Sequence, residues 1–354
     1  MRRKLLLLFL LALGLLSLYL LLWPVPINPE GWTPPPAPAR EGVYARNSRL
    51  ASVEIIGRGV GTGPEGVAVD AEGRIYGGMV DGRIVRFARD GSRAELFART
   101  GGRPLGMDFD REGNLIVADA DRGLLSVSKE GKVEVLCTSA DGVPFRFTND
   151  VSIAADGTIY FSDASYKYPV ARYKWDLFEH RPNGRLLAYD PKSKSVRLLV
   201  GGLYFANGVA VSPDQSFVLV VETGKYRVRR FWLDPSRRPQ SDIFIENLPG
   251  FPDGISSDAR SRFWLALISP RNPLLDRLLS RPFLRKILLR LPASLQPAPA
   301  RDSVVLALDP SGRVVENLQD PAGRFAQISS VQEHAGFLYF GSLGEDALAR
   351  LPAP

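Results

Sequence analysis

FTNDVSIAADGTIYFSD, Phe147 to Asp163, joins a short alternating strand to a second strand rich in aromatic and β-branched residues through a tight Asp-Gly turn. That is a hairpin signature. It recurs as EGVAVDAEGRIYGG from Glu65, LGMDFDREGNLIVAD from Leu105, NGVAVSPDQSFVLVVET from Asn207, DGISSDARSRFWLAL from Asp253 and, more divergently, SSVQEHAGFLYFGS from Ser329. Four of the six are followed closely by a third apolar segment: GRIVRFARDG, GLLSVSKEG, RLLAYDPKS and RVRRFWLDPS. After the fifth copy, VVLALDPSG plays this part behind an insertion. A unit able to form three or four strands, repeated at about 40 to 75 residues, fits a propeller blade. The reading is an all-β chain, a six-bladed β-propeller over residues 51–354, in preference to a β-sandwich or an open solenoid. SVEIIGRG, Ser52 to Gly59, is expected to supply the strand that the last repeat lacks and so close the ring.

Composition agrees with an all-β chain, since 33 Gly and 28 Pro point to many turns rather than long helices. Of the net charge of +7, residues 1–4 carry +3 and residues 266–302 carry +5, which leaves −1 for the body. No nucleic-acid partner is expected from so local a basicity. The single Cys137 rules out intrachain disulfides and Cys-based metal sites, and two His residues, His180 and His334, make zinc a poor candidate.

Residues 1–23 read as a signal-anchor transmembrane helix: Arg2, Arg3 and Lys4 precede an uncharged apolar run from Leu5 to Trp23. The flanking charges place the rest of the chain on the extracytoplasmic side as a single-pass membrane protein. The Trp23-Pro24-Val25-Pro26 sequence offers no cleavage site of the small-residue kind. Residues 24–50 form a Pro-rich linker, expected to be an extended, semi-rigid spacer that lifts the propeller off the bilayer.

With the repeats in register, the residue before each first strand is Glu65, Leu105, Asn149, Asn207, Asp253 and Ser329. The innermost strand of each blade lines the central channel, so these positions converge on one axis. Glu65, Asn149, Asn207 and Asp253 are hard oxygen donors of the kind calcium accepts, and two carboxylates balance a divalent charge. One Ca²⁺ in the central channel is therefore expected. Asn149, Asn207 and Asp253 each taken alone read more often as turn residues than as ligands, and it is the coincidence of four such residues in one column that points to a site. Asp150 and Asp163 are candidates for orienting Asn149.

GRPLGM, FTNDV, YFSDASYKY, GRLLAYDP, GLYFANGVAVSPDQSFVLVVET, ENLPGFPDGI and SPRNPLLD resemble the strictosidine synthase-like family, within the wider gluconolactonase, regucalcin and paraoxonase group. The likeness covers about residues 50 to 354. It implies a six-bladed propeller and, as in the hydrolytic members, a calcium held by a Glu, two Asn and an Asp at the positions of Glu65, Asn149, Asn207 and Asp253. The catalytic Glu of strictosidine synthase falls at Ser329 and the His of the paraoxonases at Leu105, so neither chemistry transfers.

The function these residues support is hydrolysis of an apolar ester or lactone, with Asp253 as the catalytic water activator beside the metal. Leu105, Phe147, Tyr166, Phe205 and Ser329 are the expected substrate-pocket residues. The alternatives are a non-catalytic, membrane-tethered binding propeller with structural calcium and an amine-aldehyde condensing enzyme. The insertion over residues 266–302 carries Leu and Arg at helical spacing, broken near Pro282. It reads as an amphipathic basic helix that covers the substrate entrance, with residues 272–291 also able to touch membrane lipid.

Overall fold

A computed structural model describes residues 1–258 and 262–354. Six four-stranded antiparallel sheets follow one another around a ring, and the first five run from inner to outer strand in chain order. Their inner strands are Val67–Val69, Pro104–Phe109, Thr148–Ile153, Ala206–Val211, Gly250–Ser257 and Ile328–His334. The expected closure is present. Glu54–Ile56 pairs antiparallel with Leu348–Pro352, so the first strand of the chain completes the sixth blade. Closure leaves no unpaired edge at the seam.

The hairpin turns owe their shape to the acidic residue that opens them. Asp70 Oδ1 accepts hydrogen bonds from the amides of Glu72 and Arg74, and Asp110 Oδ1 accepts one from Asn114. The carboxylate thus satisfies turn amides that no strand can reach.

Neighbouring blades meet at the axis through backbone. A Cβ added to Gly66 would fall on the carbonyl oxygen of Leu105, and one on Gly208 would lie 2.5 Å from both the Asp253 oxygen and the Ile255 nitrogen. Polar side chains then stitch one inner strand to the next. Asp108 accepts from Ile153 N, Asp150 from Val209 N and Ser152 from Val211 N, while Ser256 donates to the Val331 carbonyl. Between the blades, apolar faces pack as separate wedges, such as Trp264, Phe325 and Phe340 between the fifth and sixth. Burying a residue of this size contributes roughly 2 to 3 kcal/mol.

The connections after the second strand of blades 3 and 5 are long, and they carry helices to the same face. With the N-terminal helix α1 (Arg2–Leu22), these are α2 (Tyr173–Glu179), α3 (Pro273–Leu279) and α4 (Pro282–Arg290). The Asn272 side chain caps α3 by accepting from the amides of Leu274 and Leu275. Pro282 ends the run where the sequence placed the break, because it opens a new helix without an amide to offer the previous one.

Residues 24–50 differ from the expected spacer. The segment is extended but packed down as a strap: Ile27 and Leu50 are buried, and the Asn28 amide donates to the Glu179 carboxylate at 2.7 Å. The backbone amides of Glu30 and Trp32 donate to the carbonyls of Glu179 and Leu279. Three arginines of the basic insertion are buried clamps: Arg285 and Arg290, read as part of the polar face of the amphipathic helix, and Arg271 just before it. Arg271 donates to the Pro35 carbonyl, Arg285 to those of Phe178 and Glu30, and Arg290 to those of Leu20 and Trp23. A guanidinium carries five donors in a rigid fork, which suits it to gathering the carbonyls of a strap that has no sheet partner.

Ile56 lies buried among Val67, Ile75, Phe87 and Leu348 at the seam. Ile56→Ala is expected to cost about 3 kcal/mol, read as a lower urea midpoint; an unchanged midpoint would mean that the closing strand contributes nothing to the ring.

Candidate functional site

Glu65, Asn149, Asn207 and Asp253 come together. All four line a single cavity of about 340 Å³ on the face that carries the helices. The local cause is visible in the strand register: the inner strands of blades 3, 4 and 5 slip between Thr148 and Val151, between Ala206 and Val209, and between Pro252 and Ile255. Each slip contains the candidate residue. A bulge re-aims the side chain that it contains, here away from the sheet pairing and into the cavity.

The supports behind these residues are acids and hydroxyls at the ends of the second strands. Asp163 accepts from the Phe147 amide at 3.0 Å and is paired with Arg185, which fixes the chain two residues before Asn149. Asp150 instead serves the next blade through Val209 N. Asn207 Nδ2 donates to Thr223 Oγ1 at 3.2 Å, and Thr223 donates to the Pro252 carbonyl beside Asp253. With its nitrogen engaged there, the Asn207 oxygen is the atom left for the cavity. The Asn149 side chain has no hydrogen-bond partner among the described residues, although Asn149 is only 5% exposed. Its amide is part of the cavity wall and is available to whatever the cavity holds.

The charges point the same way. Burial pushes the Asp253 carboxyl well above its ordinary value, the negative charges of Glu65 and Asp150 add to that, and Asn207 opposes it. Burial also raises Glu65, against the pull of Arg103, whose Nη2 lies 3.0 Å from Glu65 Oε2. Arg103 is thus paired with Glu65, while Asp253 meets the charges of Glu65 and Asp150. The donor set of two carboxylate groups and two amide oxygens, with an excess negative charge, fits a hard divalent cation.

The expected pocket residues divide. Phe147 and Phe205 line the cavity, edge to face at 5.5 Å. Leu105 is buried behind them in the same apolar cluster and is not part of the cavity wall. Tyr166 is 42% exposed and turns outward beside the Arg185 guanidinium, because its amide is tied to the Asn183 carbonyl at the base of the blade 3 insertion. Ser329 is also off the wall: its hydroxyl donates to the Glu65 carbonyl at 2.8 Å and braces that residue's backbone.

Most of the cavity's apolar wall was not legible as pocket. Tyr173, Leu177 and Phe178 of α2, with Leu275, Leu278 and Leu279 of α3, close over the axis. Their helical spacing was readable, at positions 173 and 177 for example, but the surface they cover depends on where the two insertions meet. His180 also lines the cavity, at the left-handed end of α2. Its Nε2 donates to the Gly224 carbonyl at 2.8 Å, its ring stacks on Trp32 at 4.9 Å, and burial pushes its pKa down to about 3. His334 ends the inner strand of blade 6 at its hairpin and is not in the cavity wall.

Comparison with known proteins meets this geometry at the sequence level. Residues 149–236 match the model of the strictosidine synthase family and residues 42–87 that of the strictosidine synthase-like N-terminal region. Strictosidine synthase-like 6 of Arabidopsis thaliana is 37% identical over 309 residues, covering 85% of this chain and 82% of its own. The chain belongs to the strictosidine synthase-like family. Another relative in this family, the adipocyte plasma membrane-associated protein of Bos taurus, is 36% identical over 351 residues, covering 92% of this chain and 84% of its own. Among solved structures, a gluconolactonase from Xanthomonas campestris superposes with a TM-score of 0.62 at 18% identity, over 94% of this chain and 99% of its own. A calcium-binding regucalcin from Agrobacterium tumefaciens gives 0.59 at 15% identity, over 84% and 90%. At these identities the two structures establish the shared propeller fold.

Burial raises Asp150 and Asp176 from 3.8 to about 7. Between those values the folded chain holds protons that the unfolded chain has released, so stability falls as pH rises. His180 acts oppositely, but only below its ordinary value of 6.5. In chelator, unfolding stability is therefore expected to drop by on the order of 1 kcal/mol between about pH 6.5 and 8, with Asp176→Asn flattening the slope. A urea midpoint that climbs over that interval would contradict the burial of these acids.

Proposed function

We propose that this protein is a membrane-anchored, calcium-dependent hydrolase of apolar esters or lactones. The observation that carries the reading is the meeting of Glu65, Asn149, Asn207 and Asp253 in one buried cavity under an apolar mouth. Glu65 and Asp253 would hold the ion, with the oxygens of Asn149 and Asn207 completing the protein's share of ligands. Calcium, when bound, supplies Lewis-acid polarisation of a carbonyl. Asp253 is the catalytic group assigned to accept the proton of the attacking water through an oxygen not engaged with the ion. Phe147, Phe205 and Phe251 exclude bulk water and favour apolar acyl or aryl groups. Arg103 pairs with Glu65, holding it in place and opposing the burial that raises its carboxyl.

The α1 helix, long and apolar enough to cross a membrane, would anchor the enzyme, with Arg2 to Lys4 directing the propeller to the extracytoplasmic side. Exposed Leu274, Phe283 and Leu284, beside Arg277 and Arg281, offer the cap an additional contact with lipid.

A binding propeller with structural calcium is the second reading. What favours it is His180: held neutral and tied to a carbonyl, it leaves Asp253, itself an assigned ligand, as the proton acceptor. Amine-aldehyde condensation has less support, because Ser329 replaces an acid and its hydroxyl serves the Glu65 carbonyl.

Turnover of phenyl acetate and of a δ-lactone separates the first two readings. Calcium is expected to restore activity to chelated protein, and Asp253→Asn to abolish it. Because Asp253 and Glu65 repel each other without an ion, Asp253→Asn should raise the metal-free melting temperature while removing the calcium-induced rise. That rise is expected to correspond to about 2.7 kcal/mol at a hundredfold excess over Kd. A calcium-induced rise without turnover of any ester favours the binding protein, and no calcium response at all defeats both.

A further inference from the structure

A second concave site lies where the membrane helix meets the cap. This groove, of about 470 Å³, is walled by Tyr19 and Trp23 at the end of α1, by Trp175 of α2 and by Leu289 of α4. Its position is fixed by hydrogen bonds. Tyr19 Oη donates to the Arg290 carbonyl at 3.0 Å, and the Arg290 guanidinium donates at 2.7 Å to the carbonyls of Trp23 and Leu20. A cation at those terminal carbonyls also suits the negative end of the helix dipole. Tyr and Trp at the end of an apolar span sit at headgroup level, so the groove opens where lipid headgroups lie.

The groove's chemistry is one-sided. Arg172 and Lys174 line it, neither has an ion-pair partner among the described residues, and no carboxylate is part of its wall. The Arg172 guanidinium lies 4.3 Å from the Trp175 ring centroid, which leaves its edge donors free. Cations beside an apolar, aromatic trough match an acidic headgroup that carries an acyl chain. Tyr173 and Lys174 line this groove and the axial cavity alike, so a single turn of chain at the start of α2 separates the two spaces.

We propose that this groove binds a bilayer amphiphile with an acidic headgroup, held at Arg172 and Lys174, and that it is the route by which such an amphiphile reaches the axial cavity. The binding stands independently; the route rests on the hydrolase reading and narrows its substrates to acyl esters borne by the membrane rather than dissolved in water.

The test uses the full-length chain in phosphatidylcholine nanodiscs, with a lysophosphatidate probe carrying a diazirine in its acyl chain. Photolabelling is expected on peptides spanning residues 171–175 and 289–296. The pair of substitutions Arg172→Ser and Lys174→Ser should lower labelling about tenfold, as loss of charge-assisted contacts predicts. A lysophosphatidylcholine probe should label several-fold less. Equal labelling of wild type and variant, equal labelling by both probes, or label confined to α1 would overturn the site. For the route, Ala293→Trp narrows the groove outside the axial cavity. The ratio of turnover on a long-chain acyl ester of an acidic headgroup to turnover on phenyl acetate should fall about tenfold, and an unchanged ratio would overturn the route. If wild type turns over neither substrate, the hydrolase reading and the route fall with it, whereas the labelling still decides the groove.

Discussion

Everything near the axis follows from crowding of backbone against backbone. Six inner strands enter a space too narrow for side chains between them, so Gly66, Gly106, Gly208 and Gly254 stand where a neighbouring blade occupies the Cβ position. The third and sixth blades depart from this rule, and Asp150 and Ser330 use the same position to reach the next strand, at Val209 N and the Glu65 carbonyl. In blades 3, 4 and 5 the strand bulges at this point, and the residue just before the crowded position, Asn149, Asn207 or Asp253, is turned into the cavity. Concentration of acids at the axis is thus a by-product of closing the ring, and the cost of burying them is what makes the site receptive to a cation.

The second organising interaction is the use of arginine on carbonyls. The strap from 24 to 50 has no sheet partner, and its Pro residues deny it many amide donors. Arg271, Arg285 and Arg290 gather its carbonyls and those at the end of the apolar helix α1 into the cap. The apolar helix α1, the strap and the helical cover of the cavity are in consequence one connected unit. The cavity's cover is built by the insertions of blades 3 and 5, with Trp32 of the strap stacked behind His180, and these short segments would have no fixed shape alone.

Asp253 illustrates why function in this family is read from sites and not from fold. The propeller shared with gluconolactonase and regucalcin structures supplies a ring of axial positions. Which chemistry it hosts is decided by their occupants, here Leu105 and Ser329 at two of the six. Of these, Leu105 became part of a buried apolar cluster and Ser329 a brace for Glu65, so neither is part of the cavity wall.

The repeat from Phe147 to Asp163 and its five relatives determined the propeller, its blade count and the closing strand, because strand alternation and turn chemistry are local and survive in one dimension. The same register picked out Glu65, Asn149, Asn207 and Asp253, since periodic chains bring equivalent positions to one axis. Tertiary structure alone decided the rest: the outward turn of Tyr166, the buried arginines, the packed strap, the cavity wall built by α2 and α3, and the groove beside α1. Each of these depends on where two segments distant in sequence meet, and a pattern of residue types records the faces that want burial but not the partners that will cover them.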